Sequence, residues 1–166
     1  MLLYLVRHGI AIDRDDPKCP DEAERYLTEE GIQKTREVAR GVASLIDAPE
    51  IFLSSPYVRA WQTAESFAEA FKLAKQKIRK TELLLPGSDV ASLFRELAKH
   101  KDAESAMCFG HGPHVDEVIA AVLRCKRDGT GLKKAGVACL DLHRVAPPSG
   151  ILSWLATPKL LRKRND

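Results

Sequence analysis

Short apolar runs alternate with longer segments of helical periodicity along the chain. The apolar runs predict strands over residues 2–6, 51–53, 106–109 and 137–142, a weak strand at 78–79 and an edge strand at 151–155. Apolar positions three and four residues apart predict a helix that Thr28 caps and that continues to Ile46. Pro56 and Asp89 are expected to open two further helices, and residues 113–123 a fourth. This alternation favours a layered α/β domain with a largely parallel sheet.

Composition supports a folded domain. The chain has 166 residues, of which 45% are hydrophobic and 30% charged, and these values exclude a disordered, collagen-like or membrane-spanning chain. The apolar run at residues 1–6 is too short for a signal peptide or a membrane anchor. The four cysteines show no close pairing, so we expect free thiols and a cytoplasmic protein.

Charge is unevenly distributed. Residues 159–166 carry four bases and one acid, which accounts for the whole net charge of +3. We therefore predict one domain over residues 1–158, a solvated basic tail over 159–166, and no nucleic-acid partner, which would need a basic face on the folded body. Residues 13–30 carry eight acids against three bases. They are interpreted as a solvated loop, or alternatively as a rim that recognises a basic patch on a protein partner.

Candidate chemistry follows three of the predicted strands. Arg7, His8 and Gly9 come directly after the first strand, and Gly-His-Gly at 110–112 follows another. Residues 54–60 follow the second strand and place Arg59 in the first turn of a helix, where exposed N–H groups and the guanidinium both favour an anion. Ligands of such sheets bind at the carboxyl ends of the strands. Two imidazoles and two guanidiniums at one point would repel each other unless a dianion is bound, which indicates a phosphoryl group.

The three motifs, in this order and spacing, resemble the histidine phosphatase superfamily, which is also called phosphoglycerate-mutase-like. They are Leu5-Val6-Arg7-His8-Gly9, Ser54-Ser55-Pro56 with Arg59-Ala60 and Gln62-Thr63, and Gly110-His111. The resemblance covers residue 2 to about residue 142. The short chain, with Arg25-Tyr26-Leu27-Thr28 and Gly31 after the first motif, is most similar to the phosphohistidine phosphatases of the SixA-like branch.

The resemblance implies a three-layer α/β/α sandwich with a mostly parallel central sheet. It also implies that His8 is a nucleophile that carries the phosphoryl group as a phosphohistidine, which water then hydrolyses. Such a histidine must be neutral, with one ring N–H held by a local backbone carbonyl. The other residues expected at the phosphoryl group are Arg7, Arg59 and His111 in the catalytic set, and Gly9, Arg25, Ser55 and Gly112 in the substrate-binding set.

The general acid of many family members is missing from its usual positions. Leu83-Leu84-Leu85-Pro86 stands where a glutamate is expected after the third strand, and Gly112 stands where an aspartate would follow the second histidine. Glu82 and Asp89 lie near these positions but do not match them. Because an imidazole leaving group needs less acid assistance than an alkoxide, this gap favours an N–P substrate.

We therefore predict a cytoplasmic phosphatase that acts on phosphohistidine in proteins, without cofactor or metal and without a membrane or nucleic-acid partner. One alternative is a small-molecule phosphomonoesterase of the same fold, or less favourably a mutase. Another is a non-catalytic module that only binds phosphate.

Two further spacings in the sequence are typical of other sites. Cys19 and Arg25 have the C-x5-R spacing of cysteine-dependent phosphatases, but Pro20 and three carboxylates lie between them, which argues against a phosphate-binding loop. Cys108, His111 and His114 have a spacing that could hold zinc, but Cys108 lies within an apolar strand and no fourth ligand is evident. We expect His114 to line the pocket rim or to bond to local backbone.

Overall fold

A single six-stranded sheet forms the centre of the protein. The computed structural model describes residues 1–100, 102–125 and 129–162. The sheet order is β3-β2-β4-β1-β5-β6, in which the first four strands are mutually parallel and the last two are antiparallel to their neighbours. The strands are β1 (Leu2–Arg7), β2 (Ile51–Ser54), β3 (Ile78–Lys80), β4 (Ser105–Gly110), β5 (Val137–Arg144) and β6 (Ser149–Ala156). The predicted mostly parallel sheet is confirmed.

Five α-helices are seen in the described residues, and the first four start within two residues of the positions predicted from the sequence. The side chain of Thr28 accepts a hydrogen bond from the backbone N–H of Gly31, and that of Asp89 accepts from the third helix. The second helix begins two residues after Pro56. The helices are α1 (Glu29–Ala43), α2 (Val58–Ala70), α3 (Val90–Leu97), α4 (His114–Leu123) and α5 (Pro158–Arg162), with short 3₁₀ helices at Lys75–Lys77 and Glu82–Leu84.

Each face of the sheet has its own hydrophobic core. Leu3 and Leu5 of β1 point to one face, where they pack with α3 and α4, whereas Tyr4 and Val6 point to the other, where they pack with α1 and α2. The strands between these cores are buried on both sides, which explains why they are continuously apolar. Helices on both faces give the three-layer sandwich that was expected.

The end of the described chain differs from the solvated tail that was predicted. Residues Pro158–Arg162 form α5, whose Leu161 is only 3% exposed and packs with α1 in one core. Gly41 of α1 makes this possible, because a Cβ atom there would lie 2.1 Å from the carbonyl oxygen of Leu161. Residues 163–166 of the predicted tail lie outside the described residues.

Two further observations bear on the earlier expectations. All four cysteines are free thiols. None of the helices in the described ranges is long and apolar enough to cross a membrane.

Candidate active site

A pocket of about 580 Å³ lies at the carboxyl ends of the parallel strands. In the sheet register Arg7 at the end of β1 lies beside Gly110 at the end of β4, so the residues that follow these strands meet. The rings of His8 and His111 are 5.1 Å apart between centroids, and Arg59 reaches them from the first turn of α2. The four residues predicted for catalysis therefore line one pocket.

His8 is held as a neutral imidazole with one ring nitrogen free of a proton. Its Nδ1 lies 2.8 Å from the carbonyl oxygen of Gly9, and since a carbonyl can only accept, Nδ1 carries the proton and donates. Nε2 accepts a hydrogen bond from Nε of Arg59 at 3.3 Å. Burial lowers the pKa of His8 to about 3, and the charges of Arg59 and Arg7 add to the lowering. A lone pair on Nε2 is thus present at neutral pH.

His111 is also neutral. Its Nε2 lies 2.8 Å from the hydroxyl oxygen of Ser55, which itself accepts from the backbone N–H of Tyr57 at 3.3 Å. The Ser55 hydroxyl can donate to this Nε2 or accept from it, so the ring proton lies on Nδ1 in the first arrangement and on Nε2 in the second. Nδ1 has no hydrogen-bond partner among the described residues. Burial, followed by the proximity of His8, lowers the pKa of His111 to about 2.

Arg7 is fixed by backbone rather than by a carboxylate. Its Nη1 donates to the carbonyl of Leu132 at 2.9 Å. Gly112 lies against the guanidinium, because a Cβ atom at this position would be 3.0 Å from Cζ of Arg7. The Nε of Arg7 is buried without a partner in the described part of the chain. Gly112 thus lines the pocket and also leaves the space that the Arg7 side chain occupies.

Glu22 is bound by three guanidiniums at the pocket. Its carboxylate accepts from Nη2 of Arg59 at 2.7 Å, from two nitrogens of Arg14 at 3.0 Å each, and from Arg25 at 3.2 and 3.3 Å. Its backbone carbonyl accepts from Nη1 of Arg59 at 2.6 Å. The hydrogen bonds from Arg14 are the main reason why the pKa of Glu22 falls to about 2. Glu22 is therefore ionised at neutral pH and neutralises part of the guanidinium charge.

The acidic segment at 13–30 is therefore more than the solvated loop that was our first interpretation. Glu22, Arg14 and Arg25 of this segment line the protein's own pocket. Since the Glu22 carboxylate is already bound by arginines of this chain, it is not free to recognise a basic patch on a partner.

Arg25 lies at the pocket, but its donors point elsewhere. Nε and Nη2 donate to the carbonyl of Ile12 at 3.1 and 2.7 Å, and Nη1 donates to Glu22. The side chain is 9% exposed. In this arrangement Arg25 holds the loop that carries Glu22 in place.

The helix N-terminus at Arg59 differs from the expectation of N–H groups open to an anion. The backbone N–H of Val58 donates to the carbonyl of Ala23 at 3.0 Å, and that of Arg59 donates to the carbonyl of Arg25 at 3.1 Å. The preceding loop folds over the start of α2 and uses these donors. The anion-binding capacity of this element therefore rests on the Arg59 side chain.

Gly9 and Ser55 do not line the pocket but lie directly behind the residues that do. The backbone N–H of Gly9 donates to the hydroxyl of Thr63 at 3.0 Å, and a Cβ atom at Gly9 would lie 2.3 Å from the hydroxyl oxygen of Thr35. Gly9 is thus required for the close approach of α1 rather than for a turn. Ser55 is fully buried and contacts His111.

Several lining residues were missed by sequence reasoning. Lys134 lies in the segment that precedes β5, and because β5 is antiparallel to β1, the start of β5 is at the same sheet edge as the end of β1. Predicting the direction of β5 would have placed Lys134 at the site. The others come from loops with no such signal: Arg14, Glu22, Tyr57, Pro86 and Pro113.

The two alternative spacings do not form sites. Cys108 is fully buried in β4, and burial raises the pKa of its thiol to about 12, so the thiolate that zinc requires is unavailable. Nε2 of His114 lies 3.1 Å from the carbonyl of Leu83, 31 residues earlier in the chain. His114 therefore has neither of the two expected roles, since it bonds to distant rather than local backbone and does not line the pocket. Cys19 is not among the residues that line the pocket. Within the described ranges no group of three or more His, Cys, Asp or Glu residues could hold a metal ion.

Comparison with known proteins decides the family. Residues 3–84 match the family described as histidine phosphatase superfamily, branch 1. An uncharacterized protein of Picosynechococcus sp. is 33% identical over 171 residues, which cover 97% of this chain and 99% of the relative. The chain belongs to the histidine phosphatase superfamily.

Solved structures show how widely this histidine phosphatase fold is shared. The protein histidine phosphatase SixA complexed with tungstate matches with a TM-score of 0.85 and 23% identity, over 97% of this chain and 99% of that one. The putative phosphohistidine phosphatase SixA of Agrobacterium tumefaciens matches with a TM-score of 0.77 and 22% identity, over 95% and 98%. A mycobacterial glucosyl-3-phosphoglycerate phosphatase complexed with VO3 matches with a TM-score of 0.73 and 18% identity, over 94% and 99%. The expected similarity to SixA is confirmed for the fold, and the superfamily assignment supports phosphatase activity.

Proposed function

We propose that this histidine phosphatase removes phosphoryl groups from phosphohistidine side chains of proteins, through a covalent phosphohistidine on His8. The observation that carries the proposal is the ionised state of the Glu22 carboxylate. It is the one carboxylic acid among the described residues that line the pocket, and three guanidiniums keep it ionised. A site without a proton donor for the leaving group favours a substrate whose leaving group needs little assistance, which is the case for an imidazole nitrogen.

The proposed reaction uses the geometry of the neutral histidines. Nε2 of His8 attacks phosphorus, and the P–N bond of the substrate breaks as its imidazole leaves with the electron pair and takes a proton from water. Water then attacks the phosphoryl group on His8 and releases phosphate. Arg7, Arg59 and the unpartnered Nδ1 of His111, in the tautomer that carries its proton there, would bind the equatorial phosphoryl oxygens, where charge is concentrated in the transition state.

The two acids nearest to the expected position of a proton donor have other surroundings. Glu82 begins a 3₁₀ helix and is exposed, and Asp89 caps α3 with its carboxylate bonded to Ser92 and Arg95. Neither lines the pocket. Their positions support the absence of a general acid. The free thiols are consistent with the reducing cytoplasm, where we propose that the protein acts.

A substrate panel tests this function. Catalytic efficiency, kcat/KM, on a phosphohistidine protein should exceed that on phosphoserine and on 3-phosphoglycerate by at least about a hundredfold. Glu82→Gln and Asp89→Asn should each change the phosphohistidine rate by less than about tenfold. Equal efficiency on phosphoserine, or loss of activity in Glu82→Gln, would favour the small-molecule phosphomonoesterase. Phosphate binding without turnover of any of these compounds would favour the non-catalytic module.

A further inference from the structure

A second cavity adjoins the active-site pocket, and its charged lining is entirely basic. It has a volume of about 300 Å³ and shares Lys134 with the pocket. No acidic side chain is among its described lining residues. We call this cavity the basic groove. Its basic residues are Lys34, Lys133, Lys134, Lys159 and Arg162.

One wall of the groove is hydrogen-bonded to the backbone of Arg7 and His8, at the end of β1. The backbone N–H of Ala135 lies 2.9 Å from the carbonyl of Arg7 and 3.1 Å from that of His8. A turn closes behind it, where the N–H of Gly136 donates to the carbonyl of Lys133 at 2.7 Å. Lys133 and Lys134 are therefore held at a fixed position relative to the nucleophile. The charge of Lys134 is close enough to contribute to the lowered pKa of His8.

The other wall is formed by α5. The burial of Leu161 against α1 brings Lys159 and Arg162 to the groove. The sequence suggested that the basicity of the chain belongs to a tail. In the structure, part of that basicity joins lysines that are distant in sequence and forms a face beside the site.

Three of the groove cations have no counter-charge among the described residues. Lys34 pairs with Glu30, and Nη1 of Arg162 lies 3.6 Å from a carboxylate oxygen of Glu37. The remaining three, all exposed, form no ion pair within the ranges that the structure describes: Lys133, Lys134 and Lys159. Like charges that line one groove repel each other, and a polyanionic ligand relieves this repulsion.

We propose that the basic groove docks an acidic patch on the same protein whose phosphohistidine enters the pocket, an inference that rests on the proposed function. Continuity through Lys134 supports it, since one partner surface can cover the groove while its phosphohistidine reaches His8. The phosphoryl group itself is bound by residues of the pocket, so the groove cations are left for carboxylates of the partner. Complementary charge of this kind raises the association rate and selects the partner.

Two synthetic peptides test the docking. Each carries one phosphohistidine, flanked by Asp and Glu in the first and by Asn and Gln in the second. For the unmodified protein, kcat/KM at low salt should be about tenfold higher for the acidic peptide, and 0.5 M NaCl should reduce this preference because it screens exposed charges. The double variant Lys133→Glu/Lys159→Glu should lose the preference while hydrolysing phosphoramidate at the normal rate.

Lys77→Glu is the matched control. Lys77 is exposed and lies in the 3₁₀ helix before β3, at the opposite edge of the sheet from the pocket, so this variant should keep the preference. Equal kcat/KM for the two peptides, or an undiminished preference in the double variant, would overturn the docking and leave the phosphohistidine activity standing. No turnover of either peptide or of phosphoramidate would overturn both proposals. Tighter binding of a mixed-sequence RNA than of the acidic peptide would also overturn the docking.

Discussion

The floor and the rim of the pocket are built in different ways. The floor residues His8, Arg59 and His111 are at most 8% exposed, and each is fixed by a backbone or side-chain hydrogen bond. On the rim, the side chains of Arg14 and Glu22 are 69% and 41% exposed. Burial at the floor fixes protonation states, whereas solvent and salt screen the charges of the rim. The comparison predicts that chemistry depends on the floor and that anion affinity is adjusted at the rim.

The largest effect is expected at the floor. His8→Ala should lower kcat by at least about a thousandfold, because it removes the proposed nucleophile. Acid-labile, base-stable phosphate should be trapped on His8 of the unmodified protein after rapid quenching, as detected by mass spectrometry. EDTA should leave activity unchanged. A reversible loss of activity on chelation would contradict this mechanism and would renew the case for a zinc site involving His111 and His114.

The next largest loss of activity is expected on substitution of Gly112. In Gly112→Ala the added Cβ atom would press on the Arg7 guanidinium, so kcat/KM should fall by about ten- to a hundredfold while the melting temperature changes little. Gly131→Ala is the control, because a Cβ atom there meets nothing within 4 Å. If both variants keep full activity, the position of Arg7 does not limit the reaction.

The floor residues were predictable from the sequence because their positions depend on where the parallel strands of the sheet end. Arg7 ends the apolar strand β1, His8 and His111 directly follow β1 and β4, and the carboxyl ends of parallel strands share one edge. The helices and strands were also predictable, because periodicity and helix caps such as Thr28 and Asp89 are local signals in the sequence.

The rim was not predictable, since it depends on how a loop folds over α2 and on the direction of β5. Nothing local indicates that Glu22 meets Arg59, 37 residues away. The packing of α5 likewise depends on the distant Gly41.

The burial of the two floor histidines predicts a pH dependence of stability. In the unfolded chain both would have a pKa near 6.5, but in the folded protein these values are about 3 and 2. Between pH 6.5 and 5 the unfolded state binds more protons, so the stability that is present above pH 6.5 is lost as the pH falls. Each histidine should contribute about 1.5 kcal/mol to this loss, measured by urea unfolding at the two pH values. His111→Gln should reduce the pH dependence by about half, and an unchanged dependence would mean that His111 does not titrate as proposed.

The smallest effect is expected at the rim. Glu22→Gln removes the negative charge that contacts Nη2 of Arg59, so inorganic phosphate should inhibit about fivefold more strongly, as measured by its inhibition constant. Glu24→Gln, in the same segment but outside the pocket lining, should leave the inhibition constant unchanged. Weaker inhibition in Glu22→Gln would show that Glu22 serves mainly to hold Arg59 in position.

The attachment of α5 separates the charge of the basic groove from the position of the two floor histidines. The helix is fastened through Leu161 to α1, whereas His8 and His111 are carried by the central strands β1 and β4. Substitutions on the outer side of α5 can therefore change the charge of the groove without moving the nucleophile. A change confined to this peripheral helix would alter which partners the proposed docking selects and leave the proposed reaction unchanged.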